Sequence, residues 1–279
     1  SIPALAAVAG SAFGQAKTLT AISYNVLRFR GYPDTPANAA RIAAASGQME
    51  ARAAQELLLY KPDIVNFSES VTEEAAARIA KLLGCEHVWF APGQTKRSPE
   101  YPIGFPGSVF TRYRIVEAEN APFGGGTKDA SLFTRHWGRA VLDTGTEKIA
   151  FFSAHLHPSN AAIREREVSV ILRVMKPSLE SGGSVLLQGD LNHKADGPEY
   201  ARWVGAGLSD TLARFGGPQQ PTVNSVKPSA RIDYIWAGGP LAKRLKSSRV
   251  LFEGAFRTNP EDPTSFALSD HLPVIATFG

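Results

Sequence analysis

The sequence predicts an α+β fold in which two mixed β-sheets pack face to face and helices cover both outer faces, four layers in all. Three observations point there. Short runs rich in β-branched and aromatic residues recur from Thr20 to Phe278. Helical segments are interleaved with them instead of being gathered at one end. Each half of the chain carries a few strands plus its own helices, and a sheet with an apolar face must bury it against another layer. No linker long enough to mark a second domain interrupts the pattern, and no convincing repeat occurs, so residues 17–279 read as one domain.

Each element has a local reason. Residues 20–29 alternate in polarity and predict a strand. Residues 37–60 are Ala-rich, with Ile42, Met49, Ala53, Leu57 and Leu58 at helical spacing, and Gly47 is a natural break. Pro62 cannot continue that helix, and the apolar run 63–67 predicts a buried strand. Ser70-Val71-Thr72-Glu73 has the form of a capping box, which predicts a helix to Leu83 with Gly84 as its stop. Strands are predicted over 88–91, 108–111, 132–142 and 149–154, bounded by turn residues. A helix over 161–175, a buried strand over 185–188 and a short helix over 199–204 follow. Strands at 232–236, 250–252 and 274–278 complete the set.

Composition narrows the class. Hydrophobic residues are 43% and charged ones 20% of the 279, as in a folded protein and not a disordered tail. No run approaches the ~20 apolar residues of a membrane helix. Cys85 is the only cysteine, which excludes an internal disulfide and a cysteine-cluster metal site. The net charge of +4 is compatible with an anionic substrate without arguing for one. The mild basic crowding at Lys243, Arg244, Lys246 and Arg249 reads as a solvated surface. Residues 1–16 are uncharged and apolar and end in Gly14-Gln15-Ala16, resembling the remnant of a secretory signal; the expectation is export to a periplasmic or extracellular location.

The chemistry lies where apolar strands end. Asn25 follows Ile22-Ser-Tyr, Glu69 follows Ile64-Val-Asn-Phe, and His155 and His157 follow the strand ending at Ala154. Gly189-Asp-Leu-Asn192 closes another strand, Asp233 sits inside Arg231-Ile-Asp-Tyr-Ile235, and Ser269-Asp-His-Leu-Pro-Val274 places Asp270 and His271 before the last one. Taken singly, Asp190 reads first as a turn former after glycine and Asp270 as a helix or turn cap. Asp233 is different, because a lone carboxylate in a strand core costs several kcal/mol unless paired, and a histidine is the natural partner. His157 has two readings, a substrate contact or a surface residue. Arg164 and Arg166 have two readings, phosphate recognition and, by default, solvent exposure; Gly124-Gly-Gly126 reads as a plain loop, since no helix and no Lys-Ser/Thr pair follows it. Phe105, Phe123 and Trp137 are aromatics for base stacking or for packing.

In that order and spacing the motifs resemble those of the endonuclease/exonuclease/phosphatase superfamily, over nearly all of 19–279. The resemblance implies a deoxyribonuclease-I-like fold and a divalent-metal-dependent phosphoesterase. It implies that Glu69 is the principal metal ligand, with Asn25 and Asp270 beside it. His155 would face the scissile phosphate, Asp190 would orient or deprotonate the attacking water, Asn192 would hydrogen-bond the phosphate, and Asp233 would pair with His271. Two positions depart from the family pattern: Ser68 stands where glutamine is usual before the metal-binding glutamate, and Ala154 where threonine is usual before the strand histidine.

Elementary chemistry agrees with that set. A phosphate ester repels nucleophiles, so its catalyst must neutralise charge developing on the equatorial and leaving oxygens. Oxygen donors suit a hard cation that keeps some waters, hence Mg²⁺ or Mn²⁺. Asp190 and His271 both remain open as the group that takes the water proton. The expected substrate is a phosphate ester, whether nucleic acid, lipid head group or small phosphate, with a phosphodiesterase or nuclease ahead of a phosphatase or sphingomyelinase-like lipid phosphodiesterase. No obligate protein partner is evident. A dinuclear zinc hydrolase built on His155, His157, Asp190 and His193 and a non-catalytic binding module are the other classes.

Overall fold

The first alternating segment is a strand only as far as Asn25. In the computed structural model, which describes residues 18–94, 102–216 and 220–279, β1 spans Leu19–Asn25, and the chain then turns sharply through Leu27–Phe29. Leu27, Arg28 and Phe29 all have positive φ, between 46° and 55°, a conformation that no extended strand tolerates. The segment read as export signal lies outside the described residues, as do parts of the loops before Gly107 and after Gly216.

The Ala-rich stretch is two helices, α1 (Ala39–Ala45) and α2 (Met49–Leu58), parted around Gly47. After β2 (Ile64–Ser68) comes α3 (Glu73–Leu83), closed by Gly84 in the left-handed conformation at φ 66°. Its N-cap is Thr72, whose hydroxyl accepts from the Ala75 N–H, so the expected box at Ser70–Glu73 is displaced by two residues. The Ser70 hydroxyl instead bonds that of Ser108 at 2.7 Å.

Strands β3 (Glu86–Phe90), β4 (Gly107–Thr111), β5 (Arg114–Asn120), β6 (Trp137–Asp143) and β7 (Lys148–Ala154) follow. The predicted strand 132–142 begins only at Trp137; Leu132 and Phe133 are buried in the loop before it. Strand β5 went unread because it is a sheet edge that faces solvent and carries charge in place of alternating apolar residues. Helix α4 (Ala161–Glu180) runs past Pro177 to end later than expected, and leads to β8 (Ser184–Asp190) and α5 (Pro198–Gly205). Then come β9 (Ser209–Asp210), α6 (Thr211–Gly216), β10 (Asp233–Gly238) and α7 (Gly239–Lys243). The set ends with β11 (Leu245–Val250) and β12 (Val274–Phe278), so the strand expected at 250–252 lies mostly earlier.

Two six-stranded mixed sheets result, ordered β11-β12-β1-β2-β4-β3 and β5-β6-β7-β8-β10-β9. Their inner faces share one apolar layer holding Ala21, Ile64, Phe151, Leu186, Ile235 and Val274. Outer clusters pack under α2 and α3 on one side and under α4 and α5 on the other. The expected four-layer sandwich is the observed one. Among the described residues no helix is long and apolar enough to cross a membrane. Within each sheet the central pair is parallel, β1 with β2 and β7 with β8, while β12 and β10 run antiparallel beside them. Four strand C-termini and two N-termini therefore meet at one rim, where every polar strand end named above is found.

Candidate active site

Alternation along a strand decides which side chains reach the rim from inside. Ala21, Ser23 and Asn25 share the inner face of β1; Ile64, Asn66 and Ser68 that of β2; Leu186, Gln188 and Asp190 that of β8. Phe151, Ser153 and His155 repeat the pattern at β7, and Asp233 is opposite Asp190 in the β8–β10 register. Gly189 is required for close approach, because a Cβ there would sit 1.8 Å from the Ala154 carbonyl oxygen.

Asp190 is the hub. Its Oδ2 accepts from Asn25 Nδ2 at 3.0 Å and lies 3.4 Å from His155 Nε2 and 3.9 Å from His271 Nε2. Its Oδ1 accepts the Asn192 N–H at 3.1 Å. Asn25 also donates to Glu69 Oε1 at 3.4 Å, bringing β1, β2 and β8 together. His271 Nδ1 and Asp233 Oδ2 are 2.8 Å apart, and Thr222 Oγ1 donates to the same oxygen at 2.6 Å. The Ser269 hydroxyl donates to the Asn25 carbonyl at 2.7 Å and to Asp270 Oδ1 at 3.2 Å, tying the closing segment to the opening strand. Thus Asn25, Glu69, His155, Asp190, Asn192, Asp233 and His271 form one connected group, and Asp270 stands at its half-buried edge. The Asn192 side chain is itself engaged, donating to the Leu156 carbonyl at 3.0 Å.

Burial and charge set the protonation states. Burial pushes Asp190 up to about 7, reinforced by the Asp233 charge and opposed by His271 and Asn25. Burial alone would lower His271, but the Asp233 charge and hydrogen bond, with Asp190 and Asp270, outweigh it and hold the imidazole up at about 10. His155 is driven well below its ordinary value by burial and by the nearby Arg135, His136 and His271, so it is neutral. Glu69 is raised by burial against the pull of Arg28, whose Nη1 lies 3.6 Å from Oε2. Positive φ recurs at this rim, in the turn Leu27–Phe29, at Glu69 at 49° and at Asn192 at 52°. Such strain clusters at functional sites, where surrounding contacts over-determine the backbone.

Sequence reasoning missed Arg28, Ser68 and Thr222 as members of the group. Ser68, the departure from the family pattern, accepts the Asp190 N–H at 3.3 Å and so couples the sheets directly. A hydroxyl next to a carboxylate in sequence carries no signal of its own; only its strand register places it inside. Arg164 corrects an expectation: it is 12% exposed and paired with Glu199 at 2.6 Å. Arg166 is exposed as read, beside Asp129. His157 is half-buried, and its Nδ1 accepts the Ser159 and Asn160 N–H groups. His193 Nε2 accepts the Trp203 indole N–H at 3.1 Å, so neither histidine turns toward Asp190 as a zinc pair would. Trp137 and Phe123 pack into the outer core, whereas Phe105 lies 6.2 Å from His155 with the Arg135 guanidinium 4.4 Å over its ring. The crowded cations Lys243, Arg244, Lys246 and Arg249 lie on α7 and β11, where Arg244 and Arg249 pair with Glu147 and Glu253.

Among the described residues, Asp190, Asp233 and His271 offer ligand atoms within 4.8 Å of one another and could hold a metal ion. Two of these atoms already form an ion pair, so the charge need there is met internally. The oxygen donors of Glu69, Asp270 and Asn25 fit a hard cation better, and burial of the Glu69 carboxylate is the disfavoured state that such a cation relieves.

The model of the endonuclease/exonuclease/phosphatase family matches residues 22–271. A search of curated proteins returns no match. Among solved structures, an endonuclease/exonuclease/phosphatase family protein from Bacteroides thetaiotaomicron is 20% identical, with a TM-score of 0.69 over 94% of this chain and 98% of that one. A mannosyl-6-phosphatase from the same organism is 20% identical, with a TM-score of 0.68 over 92% and 98%. D. rerio TDP2, solved with a single-strand DNA product, is 18% identical, with a TM-score of 0.63 over 94% and 99%. With the fold, the ordered motifs and the match over most of its length in agreement, the chain belongs to the endonuclease/exonuclease/phosphatase family of phosphoester-hydrolysing enzymes.

Proposed function

We propose that the chain is a divalent-metal-dependent phosphodiesterase, a nuclease in the first instance, that hydrolyses its ester by in-line attack of water. The observation that carries this is the Asp190 carboxylate, which one side chain from each sheet and a charged imidazole surround. Asp190 is the base. Its carboxyl, pushed up to about 7, is basic enough to take a water proton near neutrality, whereas His271, held charged by Asp233, has no lone pair to offer. The attacking oxygen forms the new P–O bond while the ester oxygen departs on the opposite side. His271 and the neutral His155 donate hydrogen bonds to oxygens on which charge accumulates. Asn25 orients Asp190 and Glu69 together. Mg²⁺ or Mn²⁺, held by Glu69, Asn25 and Asp270, would neutralise charge on the phosphoryl group.

The half-buried Phe105 and the guanidiniums of Arg28 and Arg135 around it favour a substrate with a stackable group and further anionic charge. A phosphomonoesterase or a sphingomyelinase-like lipid phosphodiesterase is the alternative. The test is a hydrolysis panel of single-stranded and plasmid DNA, RNA, a sugar phosphate, sphingomyelin and bis-p-nitrophenyl phosphate, with Mg²⁺, Mn²⁺ or chelator. Metal-dependent cleavage of nucleic acid, lowered at least ~10²-fold by Asp190→Ala, is the expected result. Hydrolysis confined to the sugar phosphate moves the assignment to phosphatase, and near-normal turnover by Asp190→Ala removes the mechanism.

A further inference from the structure

One buried carboxylate near the rim is unused by that chemistry. Glu167, in the second turn of α4, is fully buried. Its Oε1 accepts the Phe133 N–H at 2.7 Å and its Oε2 accepts the His157 N–H at 2.9 Å. Both acceptor sites are thus spent on backbone, and on two segments that do not follow each other in sequence. One precedes Arg135 and His136; the other continues from His155.

The same two segments are joined elsewhere. The His155 N–H donates to the His136 carbonyl at 3.0 Å, and the His136 ring bonds Ser153 Oγ at 2.9 Å. Leu156 donates to the Asp190 carbonyl at 3.1 Å and receives Asn192 Nδ2 at 3.0 Å. Arg164, locked by Glu199, donates to the His157 carbonyl at 3.2 Å. Residues 155–157 are therefore held from several sides, and Glu167 shares the contact from the helix layer with Arg164.

We propose that Glu167 is a positioning residue whose ionised carboxylate bridges the Phe133 and His157 N–H groups and thereby fixes His155. Protonation leaves one good acceptor and places an O–H against the other N–H, so one segment is released. This rests on the phosphoesterase reading only for its catalytic consequence; the bridge itself is a structural claim. Burial pushes the Glu167 carboxyl up to about 7, while the His157 and Phe133 N–H groups, Arg135 on the loop side and Arg164 on the helix oppose that rise. The sign follows. A raised acid pKa means the folded state holds its proton more tightly than the unfolded chain. The associated stability is complete at low pH and is lost as pH rises through about 7. The bridge closes over the same interval, at the expense of burying charge.

The experiment compares wild type with Glu167→Gln by NMR amide exchange, by thermal unfolding from pH 5 to 8.5, and by kinetics on bis-p-nitrophenyl phosphate. Expected in the wild type is protection of the Phe133 and His157 amides that increases through neutrality, after correction for intrinsic exchange. Expected in Glu167→Gln is loss of that pH dependence, exchange at both amides about 10-fold faster, kcat about 10-fold lower and KM within about twofold. The Tm of the wild type relative to the variant should fall as pH rises. Unchanged protection at both amides overturns the bridge, and loosened amides with unchanged kcat overturn the positioning role. Should the variant not fold, the wild-type exchange profile alone decides, since a flat profile refutes a titrating bridge. A protein inactive on every ester sinks the phosphoesterase reading while the exchange data still judge Glu167.

Discussion

The two ends of the layer between the sheets are made from the same strands and have opposite chemistry. At one end Ala21, Ile64, Phe151, Leu186 and Ala237 fill an apolar core. Four residues away on the same inner faces stand Asn25, Ser68, His155, Asp190 and Asp233, all nearly excluded from water. The apolar end anchors the strands, and that rigidity lets the other end hold carboxylates and imidazoles that water would otherwise separate. Burial at the polar end is what moves Asp190 and His271 away from their ordinary values. A site set on loops alone would keep its groups solvated and their pKa values ordinary.

Three substitutions sharpen the contrast. Asp233→Ala should have the largest effect on stability, about 3–5 kcal/mol by urea unfolding at pH 7, because it leaves the His271 imidazolium buried without its partner. Since His271 is raised to about 10, the stability from this pair is complete below the unfolded value of ~6.5 and is lost as pH rises through about 10. The difference between wild type and variant should therefore shrink toward high pH, and a constant difference would mean that His271 is not charged.

Leu186→Ala, at the apolar end of the strand that carries Asp190, should cost about 2–5 kcal/mol with kcat per folded molecule kept within about twofold. A large fall in kcat there would erase the division between anchor and site. Thr222→Val removes the 2.6 Å hydrogen bond to Asp233 while keeping the shape. It should cost about 1–3 kcal/mol, since the hydroxyl also accepts the Ile232 and Asp233 N–H groups, and raise the His271 pKa slightly by leaving the Asp233 charge less screened, as seen in the ring's NMR titration. A cost as large as that of Asp233→Ala would mean that Thr222, and not the ion pair, holds the rim together.

The central strands were legible because they are short, apolar and buried on both faces, and the polar residues at their ends stood out for the same reason. Strand β5 was not, since this edge strand is exposed on both faces except at Ile115 and carries Glu117 and Glu119 in place of an apolar stripe. Leu132 and Phe133 were assigned to a strand because hydrophobicity reports burial and not backbone conformation; Phe133 has φ 53° and its N–H is taken by Glu167. Arg164 was misjudged because an arginine in the first turn of a helix gives no local sign that Glu199, 35 residues later, will cover it.

The amino-acid order by itself determined the layers, the strand ends that bear chemistry and the pairing of Asp233 with a histidine, because each follows from local periodicity or from the cost of an unpaired buried charge. The tertiary structure alone decided how burial and charge shift Asp190 and His271, that Ser68, Thr222 and Arg28 join the group, and that Glu167 accepts from two separate segments. Those outcomes depend on desolvation and on distances between segments far apart in the chain, and neither quantity exists until the sheets have closed on one another.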